Sequence, residues 1–466
     1  MAKPTNIRVK DVKVAFADYR YRCPIKFGGR ALDRVTILNV LVEAENARGA
    51  PAKGFGSMPL GNVWAFPSAR LSYDDTLGAM RTLARRIAGF AAEAAGGEFL
   101  HPIDCGFALE ETALHEASRV AEELKLAEPM PKLAALVVLS PFDAAIHDAF
   151  GKAAGINSYD GCGAAFMDYD LARYLDGAFS GEYPDRYTLR RPKATLPLYH
   201  LVGALDALTD ADVKTPVGDG LPETLQDWIA ADGLTHLKVK LNGDDLDWDV
   251  SRVLSVNRVA EDADTRLGPR PWRFSLDFNE RCRDVRYLME FMERVKDSSP
   301  RAFERVEYIE QPTARDLGAN PENRMHAAAR LKPVVIDESL VDYESLLLAR
   351  EMGYSGVALK ACKGQSQSLV LAAAAQKLGL FLCVQDLTCV GASYLHSVSL
   401  ASRVRTVAAV EGNGRQYCPS ANRGWDALFP AAFKVRGGLV ETGGLTGPGL
   451  ACVPPGLEEK AFAGLA

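Results

Sequence analysis

Seven segments of this 466-residue chain each end a short apolar run on a charged or amide residue, and they do so in a fixed chemical order. His236-Leu237-Lys238-Val239-Lys240 comes first, then Phe274-Ser275-Leu276-Asp277 and Val306-Glu307-Tyr308-Ile309-Glu310-Gln311-Pro312. Val334-Val335-Ile336-Asp337-Glu338, Val357-Ala358-Leu359-Lys360, Cys383-Val384-Gln385-Asp386 and Ala408-Ala409-Val410-Glu411 complete the series. Strands that end on carboxylates or amines and recur every roughly 25–35 residues are the pattern of a βα barrel with its site at the C-terminal strand ends. The order amine, carboxylate, carboxylate, carboxylate, amine sets a cation site between two bases. That arrangement suits removal of a proton from the carbon beside a carboxylate.

Side chains alternate between the faces of a strand. Leu237, Val239 and Leu241 therefore face outward to helices, and His236, Lys238 and Lys240 face the interior. The same parity turns Asp277 with Asn279, Glu310 with Tyr308, Asp337 with Val335 and Lys360 with Ala358 inward. Glu338 points away. A closed barrel has no edge strand on which lysines can be shed to solvent. Three inward carboxylates repel one another in a low-dielectric pocket, and a hard divalent cation such as Mg²⁺ resolves this. The plainer reading makes each acid the N-cap of the helix that follows it. A neighbouring cation and a neighbouring ammonium are expected to lower a lysine pKa toward the useful range.

Ahead of the barrel, Ile7–Val14 and Arg34–Ala44 read as a strand pair joined by a loop at Arg20–Arg30. A Gly/Pro-rich loop follows from Gly54 to Pro67, and then helical patterns at about 73–95 and 111–125. Ser140-Pro141 opens a further helix that closes near Gly151. Residues 152–192 lack periodicity and are expected to be ordered by contact with the rest of the fold. Thr195–Val202 is the expected first barrel strand. The Gly/Pro-rich tail, 415–466, is expected to return to the N-terminal module.

The length exceeds what one hydrophobic core takes, so two domains are expected. A net charge of −6 makes no electrostatic case for nucleic acid or an anionic membrane. The N-terminus has no apolar signal segment, and the apolar runs fall short of a bilayer span. Nine scattered cysteines without a C-x-x-C pair read as reduced thiols, so a cytoplasmic location is expected.

Taken together, Lys238-Val239-Lys240, Asp277-Phe278-Asn279, Glu310-Gln311-Pro312, Asp337-Glu338-Ser339 and Leu359-Lys360 resemble the enolase superfamily. The resemblance is to its mandelate racemase/muconate lactonizing enzyme family, in the muconate-lactonizing and dipeptide-epimerase type of subgroup. It implies an α/β fold, a modified (β/α)₇β TIM barrel with an N-terminal α+β capping domain. Residues 1–134, completed by 415–466, would form the cap, and 135–414 the barrel with an excursion at about 152–192. It implies that Asp277, Glu310 and Asp337 hold Mg²⁺, that Lys240 and Lys360 are acid and base on opposite faces, and that Lys238 tunes Lys240. The last strand carries Glu411-Gly412-Asn413 where dipeptide epimerases carry Asp-x-Asp, so Glu411 suits an ammonium and Asn413 a hydroxyl or amide. The seventh strand has no histidine, which separates this chain from the His–Asp type, and His396 falls on the next helix. The capping loops that set substrate choice would be the segments around Ile25–Arg30 and Met58–Trp64, and Lys26 and Arg30 of the first can meet a distal anion. Lys26, Asn279, Asp386, Glu411 and Asn413 are the expected substrate contacts.

The expected activity is Mg²⁺-dependent abstraction of the α-proton of a small-molecule carboxylate through an enediolate. Two opposed lysines favour a racemase or epimerase. An acid-sugar dehydratase or a cycloisomerase can use the same residues. Two further classes compete: an aldolase-type lyase with a Schiff base on Lys360, and a non-catalytic binding protein on the same barrel. A homo-oligomer is the expected assembly, since such enzymes are commonly symmetric.

Overall fold

A computed structural model describes residues 3–27, 29–95 and 97–465. Met1, Ala2, Gly28 of the capping loop, Gly96 and Ala466 lie outside the described residues. The N-terminal sheet has three antiparallel strands in sequence order: β1 (Ile7–Phe27), β2 (Arg30–Asn46) and β3 (Pro51–Pro59). The expected loop at Arg20–Arg30 is instead the far end of the hairpin. Pairing runs on to Phe27↔Arg30 after a register shift between Arg20 and Ile25. Tertiary packing causes this. Ile25 packs with Leu201 and Tyr417 of the barrel, with Tyr21, Cys23 and Leu32 against them.

The expected Gly54–Pro67 loop is likewise strand as far as Pro59. Its glycines serve close approach. A Cβ on Gly54 would lie 2.0 Å from the Ala145 carbonyl oxygen, and one on Gly56 would lie 1.9 Å from that of Pro141. The helix behind them, α4, follows α1 (Asn62–Ala65), α2 (Tyr73–Ala94) and α3 (Pro102–Glu123). Helix α3 starts earlier than its periodicity suggests, because His101 accepts the N–H of Ile103 and Pro102 occupies the first turn.

Helix α4 spans Lys132–Ala154, with Pro141 in its interior, so Ser140 is not the helix start expected from Ser140-Pro141. Proline has no N–H for the carbonyl of Val137 four residues back, and the Ser140 hydroxyl donates to that oxygen at 2.9 Å. Every residue from Leu133 to Gly151 is buried, which suits a helix that is apolar all round. It is long and apolar enough to cross a membrane, yet here its apolar stretch lies inside the protein.

The barrel then alternates strand and helix. Its strands are β4 (Thr195–Val202), β5 (His236–Lys240), β6 (Arg273–Asp277), β7 (Val306–Glu310), β8 (Val334–Ile336), β9 (Gly356–Leu359), β10 (Phe381–Val384) and β11 (Val407–Glu411). They are parallel, in sequence order, and β11 pairs with β4 to close the ring. The helices between them are α5 (Leu225–Asp232), α6 (Leu246–Leu267), α7 (Val285–Ser298), α8 (Pro300–Arg305), α9 (His326–Ala329), α10 (Tyr343–Glu351), α11 (Gln365–Lys377) and α12 (Gly391–Arg403). Tyr199, Tyr308, Val335, Ala358, Cys383 and Ala409 form one buried cluster. They come from different strands at the parity expected for the interior, and they floor the site.

Residues 155–194 make only short 3₁₀ turns, and their contacts are tertiary. Tyr174 donates to Asp104, Asp176 accepts from Tyr343, and the carbonyls of Tyr187 and Leu189 accept from Gln376 and Arg403. The tail divides. A short strand, β12 (Leu439–Glu441), pairs antiparallel with β4, while Tyr417, Cys418, Ala421, Trp425 and the last helix, Glu458–Ala463, return to the N-terminal sheet.

Candidate active site

Parallel pairing sets Lys240 beside Asp277 and Asp277 beside Glu310, so an amine and two carboxylates form one row across β5, β6 and β7. Asp337 and Lys360 stand one step past the ends of β8 and β9. Asp277, Glu310 and Asp337 are fully buried, and Lys238, Lys240 and Lys360 are at most 5% exposed. The acids are not helix caps. Asp284 caps α7 and Asp342 caps α10.

Lys238 is the hub. Its Nζ lies 2.9 Å from Glu310, 3.1 Å from Glu411 and 3.2 Å from Asp277. Burial pulls this ammonium down, but the three carboxylates outweigh it and hold it well above the ordinary lysine range. Lys240 donates to Asp277 Oδ2 at 2.5 Å and to Asn279 Oδ1 at 2.9 Å. Burial raises the Asp277 carboxyl, and Lys240 and Lys238 more than reverse this, leaving it below the usual carboxylate range. Glu310 goes the other way, because burial and then Asp277 outweigh Lys238.

Across the ring, Lys360 Nζ lies 2.8 Å from Asp337 Oδ2. The pair is close enough for a salt bridge but off the angle of a hydrogen bond, so Oδ2 is left without one. The expected lowering of the lysine pKa is not found here. Burial lowers Lys360, but Asp337 prevails and holds it above the ordinary range. Lys363, which sequence reasoning passed over, donates to the main-chain oxygen of Asp337 at 2.6 Å and to Oδ1 at 3.2 Å. Burial pulls its pKa down. Its position three residues after Lys360 lies past the strand, where parity no longer guides.

The capping domain reaches this cluster through Trp64. Its ring centre is 4.5 Å from Lys360 Nζ and 5.7 Å from Lys363 Nζ, and its indole N–H donates to Glu338 Oε1 at 3.0 Å. Glu338 does not point away. It is buried and also accepts from Asn279. Strand β8 ends at Ile336, so alternation does not govern it. Burial, with Asp337 adding, pushes Glu338 up to about 7.

Parity along β10 would have selected Gln385, which donates to Glu310 Oε2 and to the Tyr308 hydroxyl. Gln311 steadies Asp337, accepting its main-chain N–H at 3.0 Å. Four non-glycine residues just past strand ends, Asn279, Glu280, Gln311 and Thr388, have φ between 30° and 60°. Such backbone strain concentrates at functional sites.

The other expected contacts divide into two groups. Asp386, Glu411 and Asn413 form a network in which the Asn413 amide donates to Glu411 at 2.6 Å and Asp386 at 3.0 Å. Burial and then Glu411 push Asp386 up to about 7. Lys26 stands apart at the rim and donates to Asn242. Arg30 lines a cavity of about 550 Å³ with Trp64, Asn279, Glu338 and Arg315. His396 is on α12 as expected, bonded to Gln365.

Among the described residues, no group of three His, Cys, Asp or Glu side chains is drawn together as a formed metal cage. The carboxylates are turned onto ammonium groups. Their chemistry nonetheless fits a hard cation. Six buried carboxyl groups, those of Asp277, Glu310, Asp337, Glu338, Asp386 and Glu411, meet four buried lysines, 238, 240, 360 and 363. Two negative charges are left over, the complement of one divalent ion. The raised pKa values of Glu310, Glu338 and Asp386 answer the same crowding of negative charge. Oxygen donors of this kind suit Mg²⁺.

A family model described as enolase C-terminal domain-like matches residues 220–454. No curated protein matches the chain in sequence. Among solved structures, the chain is similar to a muconate lactonizing enzyme from Pseudomonas fluorescens complexed with muconolactone, with a TM-score of 0.58 and 16% identity over 98% of this chain and 99% of that one. It is similar to a dipeptide epimerase from Enterococcus faecalis V583 complexed with Mg and L-Leu-L-Tyr, with a TM-score of 0.56 and 15% identity over 95% and 99%. It is also similar to an enolase from Bradyrhizobium complexed with magnesium and mandelic acid, with a TM-score of 0.59 and 17% identity over 98% of each chain.

Proposed function

The chain belongs to the enolase C-terminal domain-like family, and from that premise we propose that it abstracts the α-proton of a small carboxylate with the help of Mg²⁺ and returns a proton to the other face, as a racemase or epimerase. The observation that carries this reading is the placement of two amines. Lys240 ends the second strand of an eight-strand ring and Lys360 follows the sixth, so they oppose each other across it with the carboxylate trio between.

Asp277, Glu310 and Asp337 would hold the metal, and a bound Mg²⁺ would supply the positive charge that stabilises the anion developing on the substrate's carboxylate. In the neutral form, one lysine takes the α-proton from its own face. The other, as an ammonium, delivers a proton to the opposite face. Lys238, held charged by its three carboxylates, keeps positive potential beside Lys240 throughout. Trp64 covers Lys360 and keeps water from that face. Muconolactone, a dipeptide and mandelic acid, named with the solved neighbours, each carry a carboxyl group, which supports this substrate class. The Schiff-base alternative has less support, because it makes no use of the three buried carboxylates, Asp277, Glu310 and Asp337, that lie between the lysines.

The test is proton NMR in D₂O with a panel of chiral carboxylic acids. A racemase washes deuterium into the α-position and inverts its configuration without loss of material. Net consumption of substrate would favour the dehydratase or cycloisomerase, and no exchange in any acid with Mg²⁺ present would refute proton abstraction.

A further inference from the structure

Asp337 is gripped unevenly. Lys363 Nζ donates to its main-chain oxygen and its Oδ1, at 2.6 and 3.2 Å, while Oδ2 has no hydrogen bond and only the ion pair with Lys360, at 2.8 Å, the lysine that the proposed function turns to the substrate. Lys363 cannot swing away easily. It is 3% exposed, the Trp64 ring lies over it, and it sits in a 3₁₀ turn, Ala361–Lys363, between Lys360 and α11. The turn is fixed from behind. Helix α11 has Gly364 at its N-cap and no capping side chain of its own. Asp143 of α4 supplies one, accepting from the Ser366 N–H and hydroxyl at 2.7 Å each.

We propose that Lys363 is a positioning residue that sets metal selectivity: by occupying Oδ1 it leaves Asp337 a single oxygen to offer, which favours Mg²⁺ over Ca²⁺. The inference rests on the Mg²⁺ reading above. The chemistry is one of denticity. Mg²⁺ demands near-octahedral geometry with one oxygen per ligand, whereas Ca²⁺ takes six to eight oxygens and accepts two from one carboxylate. An ammonium bound to one carboxylate oxygen blocks the second mode. Groups that hold a metal ligand in this way typically contribute about 10–100-fold to affinity.

Calorimetric titration of the full chain with MgCl₂ and with CaCl₂ tests this, beside Lys363→Met, which keeps the apolar stem and removes the donor. The expected result is a preference for Mg²⁺ in the unsubstituted chain. In K363M, Mg²⁺ binding weakens by about 10–100-fold and Ca²⁺ binding weakens less, so the ratio narrows. Equal weakening of both ions, or no change in either, overturns the inference and leaves the Mg²⁺ reading standing. A full chain that prefers Ca²⁺ also overturns it, and one that binds no Mg²⁺ overturns both together. If K363M does not fold, the ratio is read from Lys363→Gln, whose amide keeps a donor without the charge. A retained Mg²⁺ preference supports the blocking role there, and a collapsed one overturns it.

Discussion

Replacing Lys238 by methionine removes the charge at the centre of the site while keeping most of the side-chain volume. Three carboxylates lie within 3.2 Å of its Nζ, and all of them are buried. Breaking a buried pair from one side leaves uncompensated charge and costs about 3–5 kcal/mol. Unfolding entropy near 60 °C is about 2.1 cal/mol/K per residue, so a chain of 466 residues melting as one unit has roughly 1 kcal/mol/K. K238M should then melt about 3–5 °C lower, read by circular dichroism in EDTA. Mg²⁺ brings back positive charge among the same carboxylates, so saturating MgCl₂ should raise the melting temperature more in K238M than in the unsubstituted chain. A variant that melts within 1 °C of the parent, with an equal response to Mg²⁺, would show that charge compensation does not hold this site together.

Four more outcomes are expected. EDTA should abolish solvent deuterium exchange and MgCl₂ restore it, and Mg²⁺ at a hundred times its Kd should stabilise the fold by about 2.7 kcal/mol in chemical denaturation. Gly56→Ala should be badly destabilised, because its Cβ would sit 1.9 Å from the Pro141 carbonyl oxygen of α4; a loss under about 1 kcal/mol would mean that the helix moves aside. Trp64→Phe keeps a ring over the lysines but leaves Glu338 without the indole N–H, so a loss of about 1–3 kcal/mol is expected, with exchange slowed but present. His101, His147 and His396 are buried, and burial lowers each to about 3. Their folded pKa values lie below the unfolded 6.5, so the unfolded chain binds more protons and stability is lost as pH falls from about 6.5 toward 3. Asp143, raised by burial to about 6, opposes this between about 6 and 3.8. Glu338 and Asp386, raised to about 7, oppose it as well, so the histidine contribution is read as a difference: His147→Gln should lose less stability than the parent chain between pH 7 and pH 5, and an equal change in both would refute the assignment.

The barrel was legible because its strands follow a simple rule. Two-residue alternation correctly turned Lys238, Lys240, Asp277 and Glu310 inward, since each lies inside its strand. The rule still holds one residue past a strand end, at Asp337 and Lys360, and fails beyond that. Glu338 was expected to point away and instead joins the site, and Lys363 was overlooked, because both lie in turns whose course is set by tertiary contacts. The capping sheet was misread for a related reason. Gly54, Gly56 and Pro24 look like loop residues locally, but their strands are held by α4 and by the barrel mouth. Pro141 looked like a helix start because the sequence pattern does not reveal that Ser140 satisfies the freed carbonyl. Trp64 could be placed only in a capping loop expected to set substrate choice, since no local pattern tells that a residue so far along the chain from Lys360 lies over it.

The N-terminal sheet module and the barrel are therefore joined at the turn that carries Lys360 and Lys363. Helix α4 packs so closely on β3 that only glycine fits at two positions, and the same helix presents Asp143 to the first turn of α11. Between β9 and α11 lie Lys360 and Lys363. From the other side, the α1 segment that follows β3 brings Trp64 over both ammonium groups, and Arg315 of the barrel donates to the Trp64 main-chain oxygen at 3.1 Å. The turn is thus held from two sides, by helix α4 behind and the Trp64 indole in front. A loop carrying two buried ammonium groups has strong reason to move toward water, because each desolvated charge is costly. Clamping it from both sides, with Asp337 as counter-charge, keeps the charges dry and in place. That constraint gives the close packing of α4 and the α1 segment around this turn a physical reason.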